Sequence, residues 1–319
     1  MRDTKHLIPG ISAVIPVYRS VSTLPSLISR LTATLDSIAP AHEIILVDDA
    51  SPDESWQVIC GASSDDPRIR GVRLMRNFGQ HNALLVGIRK ARHELVVTLD
   101  DDLQNPPEEI GRILARLTDD VDVVYGTPEL EQHGLWRHLA SRVTKYALKA
   151  AMDVEAACNV SSFRVFRTDL RRAFDRYQSP HLAIDVLLTW ATSRFASVTV
   201  RQDPRPAGRS GYTLHRLTQH ALNMMTGFST RPLRLASTVG FAFTLFGAVV
   251  CAYVVLRYLV AGTTVPGFTF LAAIVCIFSG VQLLILGIMG EYLARMHFRL
   301  MERPAYVVAE TTDDQEDGT

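Results

Sequence analysis

Between Ile11 and Tyr125 short apolar runs alternate with longer segments of mixed polarity. Ile11 to Val17 reads as a first strand, Val21 to Leu35 as a helix, Glu43 to Val47 as a second strand and Glu54 to Cys60 as a helix. Gly71 to Met75 gives a third strand, Asn82 to Ala91 a helix, Glu94 to Leu99 a fourth strand and Val121 to Tyr125 a further one. These runs are nearly continuous rather than alternating, which is the pattern of strands covered on both faces of a parallel sheet. The strand–helix–strand order predicts an α/β class with a doubly wound, mostly parallel, Rossmann-like sheet.

The pattern changes near the C-terminus. Leu235 to Leu256 and Phe268 to Gly290 are long uncharged segments, each above the ~20 residues a helix needs to cross a bilayer. Two in tandem predict a membrane hairpin, with spans of about 235–257 and 268–290 inside a segment 235–291. Arg231 and Arg234 precede the first span, and Arg295, Arg299 and Arg303 follow the second. An excess of cations on the inner side then places both ends in the cytosol, with only the turn around Ala261 to Pro266 outside. Arg257 on the outer side is tolerated by snorkelling. Upstream, Leu214, Leu217, Ala221, Met224, Met225 and Phe228 follow helical spacing, and the stretch from Arg201 to Arg234 holds six arginines against the single acid Asp203. Both an interfacial helix and a packed one fit residues 209–234. A basic surface there favours an anionic lipid head group. Residues 1–208 are expected to form the catalytic domain, and 292–319 a cytosolic segment whose acidic end, Glu310 to Thr319, is expected to be disordered.

Composition narrows the partners. The 319 residues carry 33 basic and 33 acidic side chains, for a net charge of zero and no dominant basic block, so nucleic acid is an unexpected partner. Cys60, Cys158, Cys251 and Cys276 show no metal-site grouping and read as reduced. MRDTKHLIPG is polar and reads as no signal peptide, which keeps the N-terminal part in the cytosol. There is no GxGxxG fingerprint of a dinucleotide fold.

The chemistry concentrates where the strands end. LDDDLQNPPEE, from Leu99 to Glu109, sets three aspartates after an apolar strand. In an arbitrary loop they would form a solvated acidic face, but in an open α/β sheet the crevice beyond the strands' carboxyl ends is where ligands bind. Pro106 and Pro107 end the extended chain, and Glu108 and Glu109 favour the first turn of a helix through Leu117. Alternation along an extended chain puts Asp100, Asp102 and the Gln104 amide on one side, with Asp101 on the other. Such hard oxygen ligands suit Mg²⁺ or Mn²⁺ shared with substrate phosphates. Tyr18, the pair Asp48 and Asp49, and the pair Arg76 and Asn77 fall after the first three strands and are expected at the same crevice.

With these motifs the chain resembles the family 2 glycosyltransferases of the GT-A fold, in particular those acting on polyprenyl phosphates. The likeness rests on AVIPVYRSVSTL, EIILVDDASPDES, LDDDLQNPPEEI, RNFGQHNALLVGI, VSSFRVF, RPAGRSGY and GEYLARMHFRLMERPAYVV, and covers nearly the whole chain. The resemblance implies that Pro16, Tyr18, Val47 and Asp49 hold the base and ribose of a nucleotide-diphosphate sugar donor. It further implies that Asp100 and Asp102 approach the diphosphate and a Mg²⁺ or Mn²⁺ ion completed by Gln104. Asp101, Arg76 and Ser210 would lie in the donor site, and Arg205 would contact phosphate. Two departures stand out: Ser20 replaces a glutamate common after the first strand, and Gly211 replaces the usual lysine of the RPAGRSGY motif, with Arg209 nearby. The implied activity is inverting transfer of a sugar to a polyprenyl phosphate at the cytosolic face of the plasma or inner membrane, by a multi-pass protein in contact with membrane lipids. A homo-oligomer, tetrameric in relatives, is compatible with it. Other readings are a processive polysaccharide synthase, which normally carries a QxxRW motif absent here, a transporter, which needs more spans, and a catalytically degenerate nucleotide-sugar-binding protein.

Overall fold

The computed structural model describes residues 10–128, 160–178, 182–203, 231–261, 268–301 and 304–313. It divides into two compact units, one formed by Met1–Leu214 with Glu302–Thr319 and the other by His215–Met301. The first contains β1 (Ile11–Val17), β2 (His42–Asp48), β3 (Ile69–Leu74), β4 (Leu95–Thr98), β5 (Val123–Pro128), β6 (Arg164–Arg167), β7 (Phe195–Val200) and β8 (Val308–Thr311). These make one sheet in the order β7-β5-β6-β4-β1-β2-β3-β8. The central pairs β4–β1, β1–β2 and β2–β3 are parallel, as are β5 and β7. β6 runs antiparallel to both β4 and β5, and β8 antiparallel to β3.

The apolar runs are continuous because each strand serves two cores. On one face Ile11, Ala13, Ile15 and Val17 of β1 join Ile44 and Leu46 of β2. They pack under Leu24, Leu27, Leu31 and Leu35, the single buried stripe of α1 (Leu24–Ile38). α2 (Ser55–Asp65) and α4 (Ile110–Leu114) cover the same face. On the other face Val14, Ile45, Val47, Val72 and Val96 pack against α3 (Gln80–Lys90) and α5 (Ile184–Ala191). Period-two alternation thus sends neighbouring residues to opposite cores. α3 lies very close to the sheet at Gly87, where an added Cβ would come within 2.3 Å of Val14 Cγ1, so only glycine permits this approach. The helix expected through Leu117 is shorter: a 3₁₀ turn, Pro107–Glu109, leads into α4, which ends at Leu114.

Residues 310–313 depart from the expectation of disorder, while 314–319 lie outside the described residues. Val308–Thr311 forms β8, and the pairing continues with Thr312 N donating to Gly71 O at 3.0 Å and Gly71 N donating to Thr312 Oγ1 at 2.9 Å. The acids of this segment meet specific cations. Arg73 Nη1 donates to Glu310 at 3.0 Å, and Arg70 Nη2 donates to Asp313 at 2.6 Å while its Nη1 donates to buried Glu43 at 2.8 Å. Low hydrophobicity predicts disorder only when the charges go uncompensated, and here β3 supplies both an open edge and two arginines.

The second unit contains α6 (Arg231–Ala261) and α7 (Phe268–Leu300). Segments Leu233–Arg257 and Ile277–Ala294 are long and apolar enough to cross a membrane, and neither window is buried. Phe243 and Phe278 meet edge to face with centroids 5.7 Å apart. Ser237, Thr238 and Thr244 donate to carbonyls four residues back, which satisfies their hydroxyls within α6. Arg257 Nη1 donates to Tyr253 Oη at 2.9 Å, so this arginine has a polar partner one turn away.

Candidate active site

The loops after β1, β2, β3 and β4 converge at the carboxyl end of the parallel core. Pro16, Val17, Tyr18, Asp49, Asn77, Gly79, Gln80, Asp100, Asp101 and Asp102 line a cavity of about 260 Å³. Three of the loops carry a non-glycine residue in the left-handed region: Arg19 at φ 59°, Ala50 at 55° and Leu103 at 59°. Such conformations cost about 1 kcal/mol or more each and persist only where surroundings hold them. Here Arg19 N donates to Ser51 Oγ at 3.1 Å, Ser51 N donates to Asp48 Oδ1 at 3.1 Å, and Leu103 is buried.

The three consecutive aspartates have separate tasks. Asp101 reaches back to the β1 loop, accepting from Tyr18 N at 3.0 Å and from the Ser20 hydroxyl. Burial pushes its carboxyl above the usual range, the neighbouring carboxylates add to this, and the Ser20 and Tyr18 bonds offset only part of it. Asp100 is held from two elements, accepting from Gln80 Nε2 at 2.5 Å and from Ser162 Oγ at 2.6 Å. Asp102 Oδ1 accepts from Gln104 N at 3.1 Å, closing a local turn.

This corrects the alternation expected from an extended chain. The backbone turns at Asp101 and passes through left-handed Leu103; Asp100, Asp101 and Asp102 all line the cavity, and Gln104 does not. The Gln104 backbone carbonyl accepts from Asp203 N at 2.9 Å. Among the described residues no group of three or more His, Cys, Asp or Glu side chains is arranged to hold a metal ion by itself. Two carboxylates beside open space still form the donor set of a small hard cation that relies on substrate phosphates to complete its shell.

Asp49 pins the β3–α3 loop, its two oxygens accepting from Phe78 N at 2.7 Å and Gly79 N at 2.8 Å. Burial raises its carboxyl, and these two bonds pull the other way. Gly79 sits at φ 93°, a conformation that glycine supplies without strain. Arg76 lies outside the cavity lining, exposed, with its guanidinium 4.4 Å from the Phe78 ring centroid. Val47 is not at the cavity either: it is fully buried in the core under α3. Arg205, Arg209, Ser210 and Gly211, with the whole stretch 204–230, lie outside the described residues. Gln80 and Ser162 were not singled out from sequence, although RNFGQ follows a strand end and VSSFRVF runs into β6.

Residues 12–174 match the family model described as Glycosyl transferase family 2. The chain belongs to that family. It is 35% identical over 318 residues to the undecaprenyl-phosphate 4-deoxy-4-formamido-L-arabinose transferase of Yersinia pestis (strain Pestoides F), covering 97% of each chain. The protein of the same name from Yersinia pseudotuberculosis (serotype O:3, strain YPIII) matches equally. Among solved structures it is similar to glucosyl-3-phosphoglycerate synthase from Mycobacterium tuberculosis in complex with Mn²⁺ and UDP-glucose. That match has a TM-score of 0.50 and 17% identity over 68% of this chain and 77% of that one. Mannosyl-3-phosphoglycerate synthase from Rubrobacter xylanophilus gives 0.50 and 18% over 72% and 75%. The α/β unit is GT-A-like, as the resemblance implied, and the protein is a glycosyltransferase.

Proposed function

We propose that this glycosyltransferase moves a sugar from a nucleotide-diphosphate donor to a polyprenyl phosphate at the cytosolic face of a membrane. The observation that carries the reading is a carboxylate-lined cavity at the strand ends, in a chain that also bears two apolar helices. The undecaprenyl-phosphate transferases it resembles over 97% of its length support the acceptor class. In this reading Pro16, Tyr18 and Asp49, which line the cavity, take the base and ribose. Each Asp49 oxygen has a second acceptor site after accepting from the loop, so the carboxylate can bind a donor without releasing Phe78 or Gly79. Arg205 and Ser210 are proposed phosphate contacts on the strength of the family motif alone.

Asp100 and Asp102 are the residues proposed to hold Mg²⁺ or Mn²⁺, with Gln104 joining only if its loop rearranges when the diphosphate arrives. When bound, the cation would supply charge stabilisation to the departing nucleoside diphosphate. The nucleophile asks little of the protein, because a phosphate monoester has its second pKa near ~6 and arrives ionised. The chain's own work is to orient two anions and keep the donor loops rigid, and a single displacement would invert the anomeric centre. The proposed sidedness rests on the two apolar helices, which return a chain to its starting face, and on the arginines that flank both inner ends.

Incubating the purified full-length protein with polyprenyl phosphate and a panel of nucleotide sugars should give a lipid carrying one sugar, read by mass spectrometry. No glycolipid with any donor, or a polymer on the lipid, would overturn the proposal.

A further inference from the structure

Among the described residues Arg164 is the largest fully buried side chain, and nothing in the proposed transfer uses it. It forms an ion pair with Asp185, itself only 5% exposed. A buried ion pair stabilises a fold little or not at all relative to apolar residues of similar volume, so its presence asks for another role. Strand register supplies one. Arg164 on β6 stands opposite Thr98 on β4 and Tyr125 on β5, which puts the three side chains on one rung of one sheet face. Tyr125 Oη donates to Asp185 Oδ1 at 3.0 Å, locking the carboxylate that holds Arg164.

From there the bonds run one way. Arg164 Nε donates to Thr98 Oγ1 at 3.0 Å; a guanidinium cannot accept, so the threonine hydroxyl must send its own proton onward. It donates to the Ser162 carbonyl at 2.7 Å, and Ser162 Oγ in turn donates to Asp100 Oδ2 at 2.6 Å. Asp185 compensates the guanidinium, so this chain transmits orientation rather than net charge. The Ser162 carbonyl and hydroxyl are separate groups, so what passes between them is the position of the Ser162 backbone, which sets where its hydroxyl reaches Asp100. We propose that Arg164, anchored by Asp185, is a positioning residue that sets the Asp100 carboxylate for its cation through Thr98 and Ser162. The proposal rests on the reading of Asp100 as a cation ligand.

Thr98 separates this from simple packing, since Thr98→Val keeps the volume and loses the hydroxyl while Thr98→Ser does the reverse. Full-length protein in detergent would be titrated with Mn²⁺ in the presence of uridine diphosphate and, separately, guanosine diphosphate, with melting as the control for folding. Relative to wild type, Thr98→Val should bind Mn²⁺ about tenfold more weakly and Thr98→Ser within about twofold. Amide hydrogen exchange across residues 99–105, measured without metal, should quicken about tenfold in Thr98→Val only. Should Thr98→Val fail to fold, Ser162→Ala at the far end of the chain of bonds carries the same expectations. A wild type that binds no Mn²⁺ would sink the cation reading and the role given to Arg164 with respect to it, whereas intact Mn²⁺ binding without sugar transfer would sink only the activity. Equal losses in the two threonine variants, or wild-type exchange in Thr98→Val, overturn the positioning role.

Discussion

Two acid-rich stretches of this chain, Asp100 to Asp102 and the segment from Glu310 to Asp313, meet opposite treatment. In the first, Asp101 accepts from the Ser20 hydroxyl and the Tyr18 backbone, and Asp100 counts the Gln80 amide and the Ser162 hydroxyl among its partners. In the second, the acids end on arginines, Glu310 on Arg73 and Asp313 on Arg70. A neutral donor orients a carboxylate without cancelling its charge, whereas a guanidinium consumes the charge within the fold. The nature of the donor, more than the number of acids, separates the site from the scaffold.

The sharpest way to break this comparison is to remove one charge from each stretch. Asp102→Asn should lower transfer by about three orders of magnitude, roughly 4 kcal/mol of transition-state stabilisation, with an unchanged melting curve. Excess EDTA should abolish transfer by the wild type. Near-normal turnover in either experiment would remove the first stretch from the chemistry. Next in size is Arg70→Met, which strands Glu43, 4% exposed, without its cation. A loss of about 3 kcal/mol is expected in denaturant unfolding, because breaking a buried pair costs far more than deleting both partners. A neutral result would mean that Ser12 Oγ and the Arg92 amide, which also donate to Glu43, suffice. Asp313→Asn, by contrast, removes a partly exposed partner and should cost no more than about 1 kcal/mol while leaving turnover at the wild-type value.

The smallest effects are in the pH dependence, and their signs are opposite. The Arg70 guanidinium beside Asp313 holds that carboxyl below its ordinary range, so its folded value lies under its unfolded one. Its contribution is complete above the unfolded value, near ~3.9, and is lost as pH falls through the folded value. The Asp313→Asn deficit should therefore shrink in acid. Asp101 is displaced the other way by burial, so stability should decline as pH rises from the unfolded value through the higher folded one. Melting temperatures of wild type and Asp101→Asn, measured from pH 4 upward, should therefore differ in a direction that favours the variant as pH rises. A constant difference would show that Asp101 ionises as an ordinary carboxyl.

Much of this organisation is legible in the amino-acid order. β1, β2 and β4 announce themselves as largely apolar runs because they are covered on both faces, and each leads into a polar residue that lines the cavity. The two apolar helices are equally plain, since a bilayer demands length and absence of charge, both properties of a single segment. Val47, placed in the site by the resemblance alone, is fully buried under α3, and nothing in the run Ile44 to Val47 shows which of its side chains face that core. β8 was missed because four residues of mixed polarity carry no strand signal until β3 offers them an open edge.

The chain's local chemistry by itself settled the α/β core, the aspartates at the end of β4 and the helical pair, all of them consequences of periodicity within a few residues. Only the tertiary structure decided which carboxylate does what. Asp100 meets Ser162 from 62 residues away and Gln80 from 20, and Asp101 meets Ser20 from 81. Partners so distant are brought together by strand order, and the antiparallel insertion of β6 between β4 and β5 is what places Arg164, Thr98 and Tyr125 on one rung. A periodicity reports which face a residue occupies, but a hydrogen bond depends on which strand lies beside it, and that is a property of the assembled sheet.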